Sequence, residues 1–466
     1  MQTAIQKQNE AVRPFGTRDK LGYLLGNVAN DFSFAFAGVF LMVFYTKVLG
    51  IPAQVVGTLF VAARLVDAVT DVTMGRIVDI MPSTKNGKFR PWLVRMSAPV
   101  ALFSFLMYQS SLAGADIKIR TLYMAVTYLL WGSVFYTSIN IPYGSMASVI
   151  SNDPSDRASL STARSIGSQV ANLFVGIAVP LAVYTVDSAG NQIVNASAFP
   201  KVALILSVLS FLMYLACYKL TAERVVIPPK HEHAPIGRTL KTLVTDRALI
   251  GIVVASISML AAQLLSQSIN QYLFIDYFND KNGVMLISAI GMIPAFILAP
   301  AAVPITKRIG KKEIGVIGCL IGSAACLILY LIRTSSVWVY IAFSVATFGG
   351  LAVFNLVTWA FITDVIDDRE VRTGHRDDGT VYAVYSFARK LGQAIAGGLG
   401  GWTLSAIGFN EAAQVQSEAV ANGIYSVATL IPAVLYLAVA LSLFFIYPLG
   451  KKRVEENQAA LHKKHM

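Results

Sequence analysis

The feature that most constrains this chain is the recurrence, from one end to the other, of apolar runs of twenty or more residues. About 20 apolar residues in a helix cross a hydrocarbon core about 30 Å thick. Inside that core only helices and closed barrels satisfy their own backbone hydrogen bonds. Read between polar breaks, the runs fall near 21–47, 55–80, 93–113, 121–149, 160–186 and 199–219, then near 248–278, 283–306, 312–332, 336–366, 379–407 and 418–448. The expectation is an all-α polytopic membrane protein with 12 transmembrane helices. Composition agrees: 55% of the 466 residues are hydrophobic and 14% charged, too few charges to coat two or three soluble domains. Residues 1–20 are polar and basic, the next apolar run is too long for a signal-peptide core, and no Ala-x-Ala site follows, so no signal peptide is expected.

The formal charge of +12 raises nucleic acid as a partner, but the placement of the charges opposes it. Basic residues gather in alternate loops: Arg13, Arg18 and Lys20; Lys85, Lys88, Arg90 and Arg95; Lys219 to Arg247; Lys307, Arg308, Lys311 and Lys312; Lys451, Lys452 and Arg453. That alternation is the positive-inside pattern, and it puts both termini in the cytoplasm. The lipid bilayer is the expected surroundings, with neither nucleic acid nor an obligate protein partner. Cys217, Cys319 and Cys326 all lie in apolar runs without metal-ligand spacing and read as packing residues.

The longest polar stretch, Thr221–Thr245, carries Pro228, Pro229 and Pro235 and divides the spans six and six. The chain therefore divides into a cytoplasmic tail (1–20), a six-helix half (21–219), a cytoplasmic linker (220–247), a second six-helix half (248–448) and a second cytoplasmic tail (449–466). Two six-helix halves on either side of a linker are the plan of the major facilitator fold, with its substrate site at mid-membrane. The basic, glycine-containing turns after spans two and eight, around Gly87-Lys88 and Gly310-Lys311, occupy equivalent positions in the halves.

Asp31, Asp67, Asp71 and Lys390 lie deep inside these apolar runs. A charge at the bilayer centre costs about 2.5–3.5 kcal/mol on the insertion scale, so such residues are usually functional. Asp67 and Asp71 are i, i+4 neighbours on one helical face, with Arg64 three residues before Asp67. Two carboxylates so close disfavour joint ionisation and suit a shared proton or Na⁺. The competing reading is structural, a buried salt bridge or, for Asp71 in Asp71-x-x-x-Gly75-Arg76, a gate latch. Asp276 and Arg164 fall near span ends, where snorkelling accounts for a charge.

Aromatic residues join polar ones at two places. Tyr136 precedes Thr137 and Asn140 in span four, and Tyr385 precedes Lys390 in span eleven. Aromatic faces pack on a pyranose ring while Asn, Asp and Lys bond its hydroxyls. No zinc-protease helix motif, phosphate-binding glycine loop or paired Cys-x-x-Cys is present, so neither an enzyme, a cofactor nor ATP-driven transport is expected. His375 reads as a solvated loop histidine.

Leu-Phe-Val-Ala-Ala-Arg64-Leu-Val-Asp67-Ala-Val-Thr70-Asp71, the Gly87-Lys88-Phe89-Arg90-Pro91-Trp92 turn and Tyr385-Ser-Phe-Ala-Arg389-Lys390-Leu-Gly resemble the glycoside–pentoside–hexuronide:cation symporters. The resemblance runs from about Arg13 to Lys451. It implies secondary active sugar transport across a cell (inner) membrane. It implies sugar binding at Asp31 and Arg164, a cation site at Asp67, Thr70 and Asp71, and a linking role for Lys390. Asn140-Ile-Pro142-Tyr143-Gly144-Ser145 and Asp378-Gly-Thr-Val-Tyr382 are most similar to the xyloside (isoprimeverose) and glucuronide permeases.

The expected activity is import of a small glycoside with protons, at a site of Asp31, Tyr136, Thr137, Asn140, Arg164, Tyr385 and Lys390. Xyloside disaccharides such as isoprimeverose or xylobiose come first as substrates. A hexuronide substrate, Na⁺ coupling at Asp67, Thr70 and Asp71, and lysolipid transport are the alternatives. No resident metal ion is expected.

Overall fold

The computed structural model describes residues 13–84, 86–225, 246–374 and 378–465. Most of the expected linker (226–245) and His375 lie outside the described residues. The chain is almost wholly helical and forms two compact units. Unit one comprises residues up to Pro52, Ala62–Asp187 and Ile193–Glu232; unit two comprises Ala53–Val61, Ser188–Gln192 and the remainder.

Six long helices carry the first half of the chain: α1 Thr17–Val48, α2 Ala53–Ile80, α3 Arg90–Leu106, α4 Ile117–Ile150, α5 Pro154–Val183 and α6 Ala198–Leu220. Six more follow: α7 Arg247–Tyr277, α8 (Lys281–Ile290 and Ile293–Ile309), α9 Lys311–Ile332, α10 Val337–Thr373, α11 Asp378–Ala406 and α12 Glu418–Ile446. A last helix, α13 Lys451–His465, is polar, and a hairpin (β1 Tyr184–Val186, β2 Gln192–Val194) joins α5 to α6. Nine of the twelve long helices are both long and apolar enough to cross a membrane among the described residues. The other three are α2 and α11, which carry the charged site residues, and the short α3.

Helix starts fall where a polar side chain can cap the first turn. Asp116 caps α4, Asp153 caps α5 ahead of Pro154, Asp246 caps α7 and Ser417 caps α12. The cap at Asp153 moves the start of α5 well before the expected residue 160, because Ser155, Asp156 and Arg157 look like loop in the sequence but form the first helical turn. Likewise α10 runs on to Thr373, past the expected 366, because Asp364, Asp368, Arg369 and Glu370 are buried and partnered rather than solvated.

Each unit repeats the same pairing. In unit one α1 packs on α5 and α6, and α3 on α4 and α6; in unit two α7 packs on α11 and α12, and α9 on α10 and α12. The core of unit one gathers Tyr23, Leu93, Tyr143, Met146 and Tyr214, and that of unit two Leu249, Met259, Phe354, Phe361 and Tyr436. Side chains such as Leu122, Phe296, Leu331 and Phe445 are exposed, as suits helices solvated by lipid.

The repeat extends to the charged ends. Asp19 starts α1 fully buried and takes Arg13 at 2.8 Å and Arg224 at 2.9 Å. Asp246 starts α7 and takes Arg372 at 2.8 Å and Arg369 at 3.2 Å. The two paired turns also agree: Gly87 and Gly310 have φ of 103° and 112°, a region that glycine alone enters without strain.

Glu223 lies against Gly87, and its carboxylate accepts from the backbone N–H groups of Lys88, Phe89 and Arg90 at 2.6, 2.8 and 2.7 Å. Those are the orphan donors at the start of α3, and an anion there also meets the positive end of the helix. A charge-assisted bond contributes about 1.5–3 kcal/mol. Glu223→Gln, which keeps the shape but loses the charge and one acceptor, should lower the apparent melting temperature of the purified protein by several degrees. An unchanged melt would show that this cap does not hold the turn.

Candidate functional site

The site of unit one grows from α1, α2, α4 and α5. From Thr17 to Asp31 and from Ala53 to Asp67 is the same fourteen residues, about 21 Å of helical rise, which brings both carboxylates to the middle of their helices. Such depth demands partners.

Asp67 is 8% exposed and bonded on both oxygens. Ser133 Oγ donates to Oδ1 at 2.5 Å and Arg64 Nη1 to Oδ2 at 2.9 Å. Arg64 also donates to Tyr128 Oη at 3.4 Å, and its guanidinium lies 5.9 Å from the Phe34 ring centre. One turn further on, Thr137 Oγ1 donates to Asp71 Oδ1 at 2.8 Å. The pairs Asp67/Asp71 and Ser133/Thr137 have the same four-residue spacing, so α2 and α4 are joined by two successive hydroxyl–carboxylate rungs. Thr70 turns its hydroxyl to the Asp67 backbone carbonyl of its own helix, at 3.3 Å.

The rungs depend on a local departure from α geometry. Residues Leu130–Tyr136 of α4 form a π segment, in which the Thr137 N–H reaches back to the Gly132 carbonyl. Such segments occur frequently at functional sites. This one buries Trp131 and Ser133 and stacks Tyr136 on Phe34 with 5.7 Å between ring centres.

Further along the face of α1 that carries Phe34, Asn27 bridges two charged residues. Its Nδ2 donates to Asp31 at 2.9 Å and its Oδ1 accepts from Arg164 Nε at 3.2 Å. Close packing sets this geometry: a Cβ on Gly167 would lie 2.7 Å from the Leu24 carbonyl and 3.2 Å from Asn27, so only glycine lets α5 approach α1. Arg164 is exposed, with its guanidinium 5.7 Å from the Tyr143 ring centre, and a Cβ on Gly144 would lie 3.7 Å from Nη1. The span-end position expected for Arg164 is corrected: α5 begins at Pro154, so Arg164 sits three turns inside it. Asn140 is half-buried on α4, one turn beyond Tyr136.

In unit two, Lys390 is half-buried near the middle of α11. Tyr385 is buried, edge-on to Trp359 with 5.6 Å between ring centres and beneath Arg389 at 5.9 Å. The tyrosine of this helix that reaches the surface is Tyr382.

Unit one thus brings Asp67, Asp71 and Thr137 together, sets Thr70 beside them, and joins Asp31 to Arg164 through Asn27. Sequence reasoning missed Asn27, Ser133 and Phe34. The available signals were the i, i+4 spacings of Asn27 to Asp31 and of Ser133 to Thr137. No cluster of three or more His, Cys, Asp or Glu side chains suited to a metal occurs among the described residues. Two carboxylates with hydroxyl partners suit a proton or a monovalent ion bound through oxygen.

Comparison with known proteins places this arrangement. The family described as MFS/sugar transport protein matches residues 22–451. The Glucuronide carrier protein homolog of Escherichia coli is 32% identical over 445 residues, which cover 94% of each chain. The Uncharacterized symporter YjmB of Bacillus subtilis is 31% identical over 462 residues, 98% of this chain and 97% of the other. A crystal structure of a bacterial homologue of the human lysosomal transporter Spinster shares the fold, with a TM-score of 0.67 at 12% identity, covering 96% of this chain and 99% of that one. These relatives are membrane transporters and not enzymes. The chain belongs to the MFS/sugar transport protein family, as a symporter of the glycoside–pentoside–hexuronide:cation type.

Proposed function

We propose that this protein imports a small glycoside together with one monovalent cation, by alternating access, across a bacterial inner membrane with both termini in the cytoplasm. The observation that carries the reading is the two-rung cluster of α2 and α4, in which two carboxylates at mid-helix take hydroxyl donors, a set of oxygens that suits a proton or a monovalent cation. The halves 21–219 and 248–448 act as the two moving bodies. The proton is the favoured coupling ion: one carboxylate oxygen accepts a proton, whereas Na⁺ needs a shell of oxygens, of which the Thr70 hydroxyl, donating to a backbone carbonyl, supplies only one. One charge entering at 100 mV supplies about 2.3 kcal/mol, enough for roughly a fifty-fold sugar gradient.

Asp31, Tyr136, Asn140 and Arg164 in unit one and Tyr385 and Lys390 in unit two are the proposed sugar-binding residues. Asp67, Thr70 and Asp71 are the proposed coupling residues, with Thr137 serving Asp71 rather than the sugar directly. A xyloside disaccharide fits the Asn140-to-Ser145 resemblance. A hexuronide is favoured by a separate observation. Arg164 uses Nε on Asn27 and is exposed, and a guanidinium offers a carboxylate a two-pronged bond. The name of the Escherichia coli relative supports the same reading.

Two experiments test these assignments in proteoliposomes with an imposed inward proton gradient and no Na⁺. Wild-type protein should accumulate labelled xylobiose or methyl glucuronide. Asp67→Asn and Asp71→Asn each remove an ionisable carboxylate from the cluster, so both should lose uphill accumulation. Sustained uphill uptake by either variant would sink the coupling mechanism. In the second experiment Arg164→Gln should weaken competition by methyl glucuronide about tenfold or more while changing competition by xylobiose less, since a charged hydrogen bond is worth about 1.5–3 kcal/mol. Equal losses for both sugars would reject the carboxylate role of Arg164.

A further inference from the structure

Unit two carries an aromatic surface that none of the assignments above uses. Trp359 of α10 and Tyr382 of α11 are stacked, 5.8 Å between ring centres and 27° between planes, yet they remain 52% and 48% exposed. Polar residues flank each on its helix, with the exposed Leu356 beside Trp359 on α10. On α10 the residues one turn before and after Trp359 are Asn355 and Thr363, both exposed. On α11 Tyr382 shares its face with Ser386 and Arg389, also exposed, and with half-buried Gln393, at helical spacings of four, seven and eleven.

Turning this face to lipid would put the Arg389 guanidinium into hydrocarbon near the middle of its helix, a costly position that membrane proteins avoid. The opposite side of α11 supplies the contrast, since exposed Phe387 lies about 140° around the helix from Tyr382. The Trp359–Tyr382 face is therefore the one that meets water. An exposed stacked ring pair rimmed by an amide, hydroxyls and a guanidinium has the makeup of a carbohydrate surface, in which ring C–H groups lie on aromatic faces and hydroxyls meet the polar rim.

We infer that Trp359 and Tyr382 form a sugar-ring platform in unit two, with Asn355, Ser386 and Arg389 as its polar rim. This inference rests on the proposed glycoside transport and extends it: unit two contributes a stacking subsite for one pyranose ring, whose aromatic face is the exposed Tyr382 together with Trp359. Because a π face accepts many rings, the platform sets affinity for a ring rather than the identity of each hydroxyl.

The full-length protein with Trp92, Trp131, Trp338 and Trp402 replaced by phenylalanine reports on Trp359 alone. In liposomes its fluorescence should be quenched by acrylamide and little by brominated lipid, and xylobiose or methyl glucuronide should protect it. Strong quenching by brominated lipid would overturn the platform whatever the sugar. In uptake assays on the otherwise native chain, Trp359→Leu and Tyr382→Leu should raise KM about tenfold, the order of a lost aromatic contact. Trp359→Phe should restore it to within about threefold, which a merely structural defect would not. Size-exclusion profiles and melts would identify any misfolded variant, and the phenylalanine variant with the quenching result then decides. An unaltered KM in Trp359→Leu would overturn the platform alone. A wild type that takes up neither glycoside would overturn the transport reading and the platform with it.

Discussion

The ion pair between Arg64 and Asp67 is the interaction on which the first unit's site depends. Breaking a buried pair by removing one partner costs about 3–5 kcal/mol, because the other charge is stranded. Here the pair is bound further, by Ser133 on one side and Tyr128 on the other, so α2 is registered against α4 at a single height. Asp71, one turn along, inherits that register and meets Thr137. The pair therefore fixes the height at which both carboxylates of α2 face the hydroxyls of α4.

The same principle governs the charged helix ends, with an opposite purpose. Asp19 and Asp246 are each held by two arginines, and Asp368 is bonded by Arg372, Arg453 and Asn457. Lys311 and Asp364 pair at 2.6 Å. These carboxylates are saturated by fixed donors and tie helix ends within their own unit. Asp71, by contrast, accepts a hydroxyl hydrogen bond from Thr137.

Much of this was legible from the residues. Apolar run length gave the helices, because the cost of an unsatisfied backbone in lipid leaves no other form. The same cost singled out Asp31, Asp67, Asp71 and Lys390. Arg164 was misplaced to a span end because Ser155, Asp156 and Arg157 look like loop but belong to the first turn of α5. Ser133 gave no signal of its own: serine is common in membrane helices, and only its phase against Asp67 distinguishes it. Tyr382 and Tyr385 differ by rotation alone, and three residues along a helix were enough to bury one and expose the other. Rotational phase of this kind is set by tertiary packing, which composition and spacing leave open.

The π segment of α4 has a consequence for how this protein can vary. A π turn holds one residue more than the α turn it replaces, so everything beyond Tyr136 is rotated by about 100° relative to an uninterrupted helix. Removing any one residue between Leu130 and Tyr136 would let the backbone relax into a regular helix. Because the lost residue and the lost π turn cancel, Thr137 and Asn140 would keep close to their present azimuth. What would displace them is relaxation to α geometry at unchanged length, which would turn both by about 100°. The π geometry of this stretch is thus a coordinate of the site in its own right, as binding as the identity of any side chain within it.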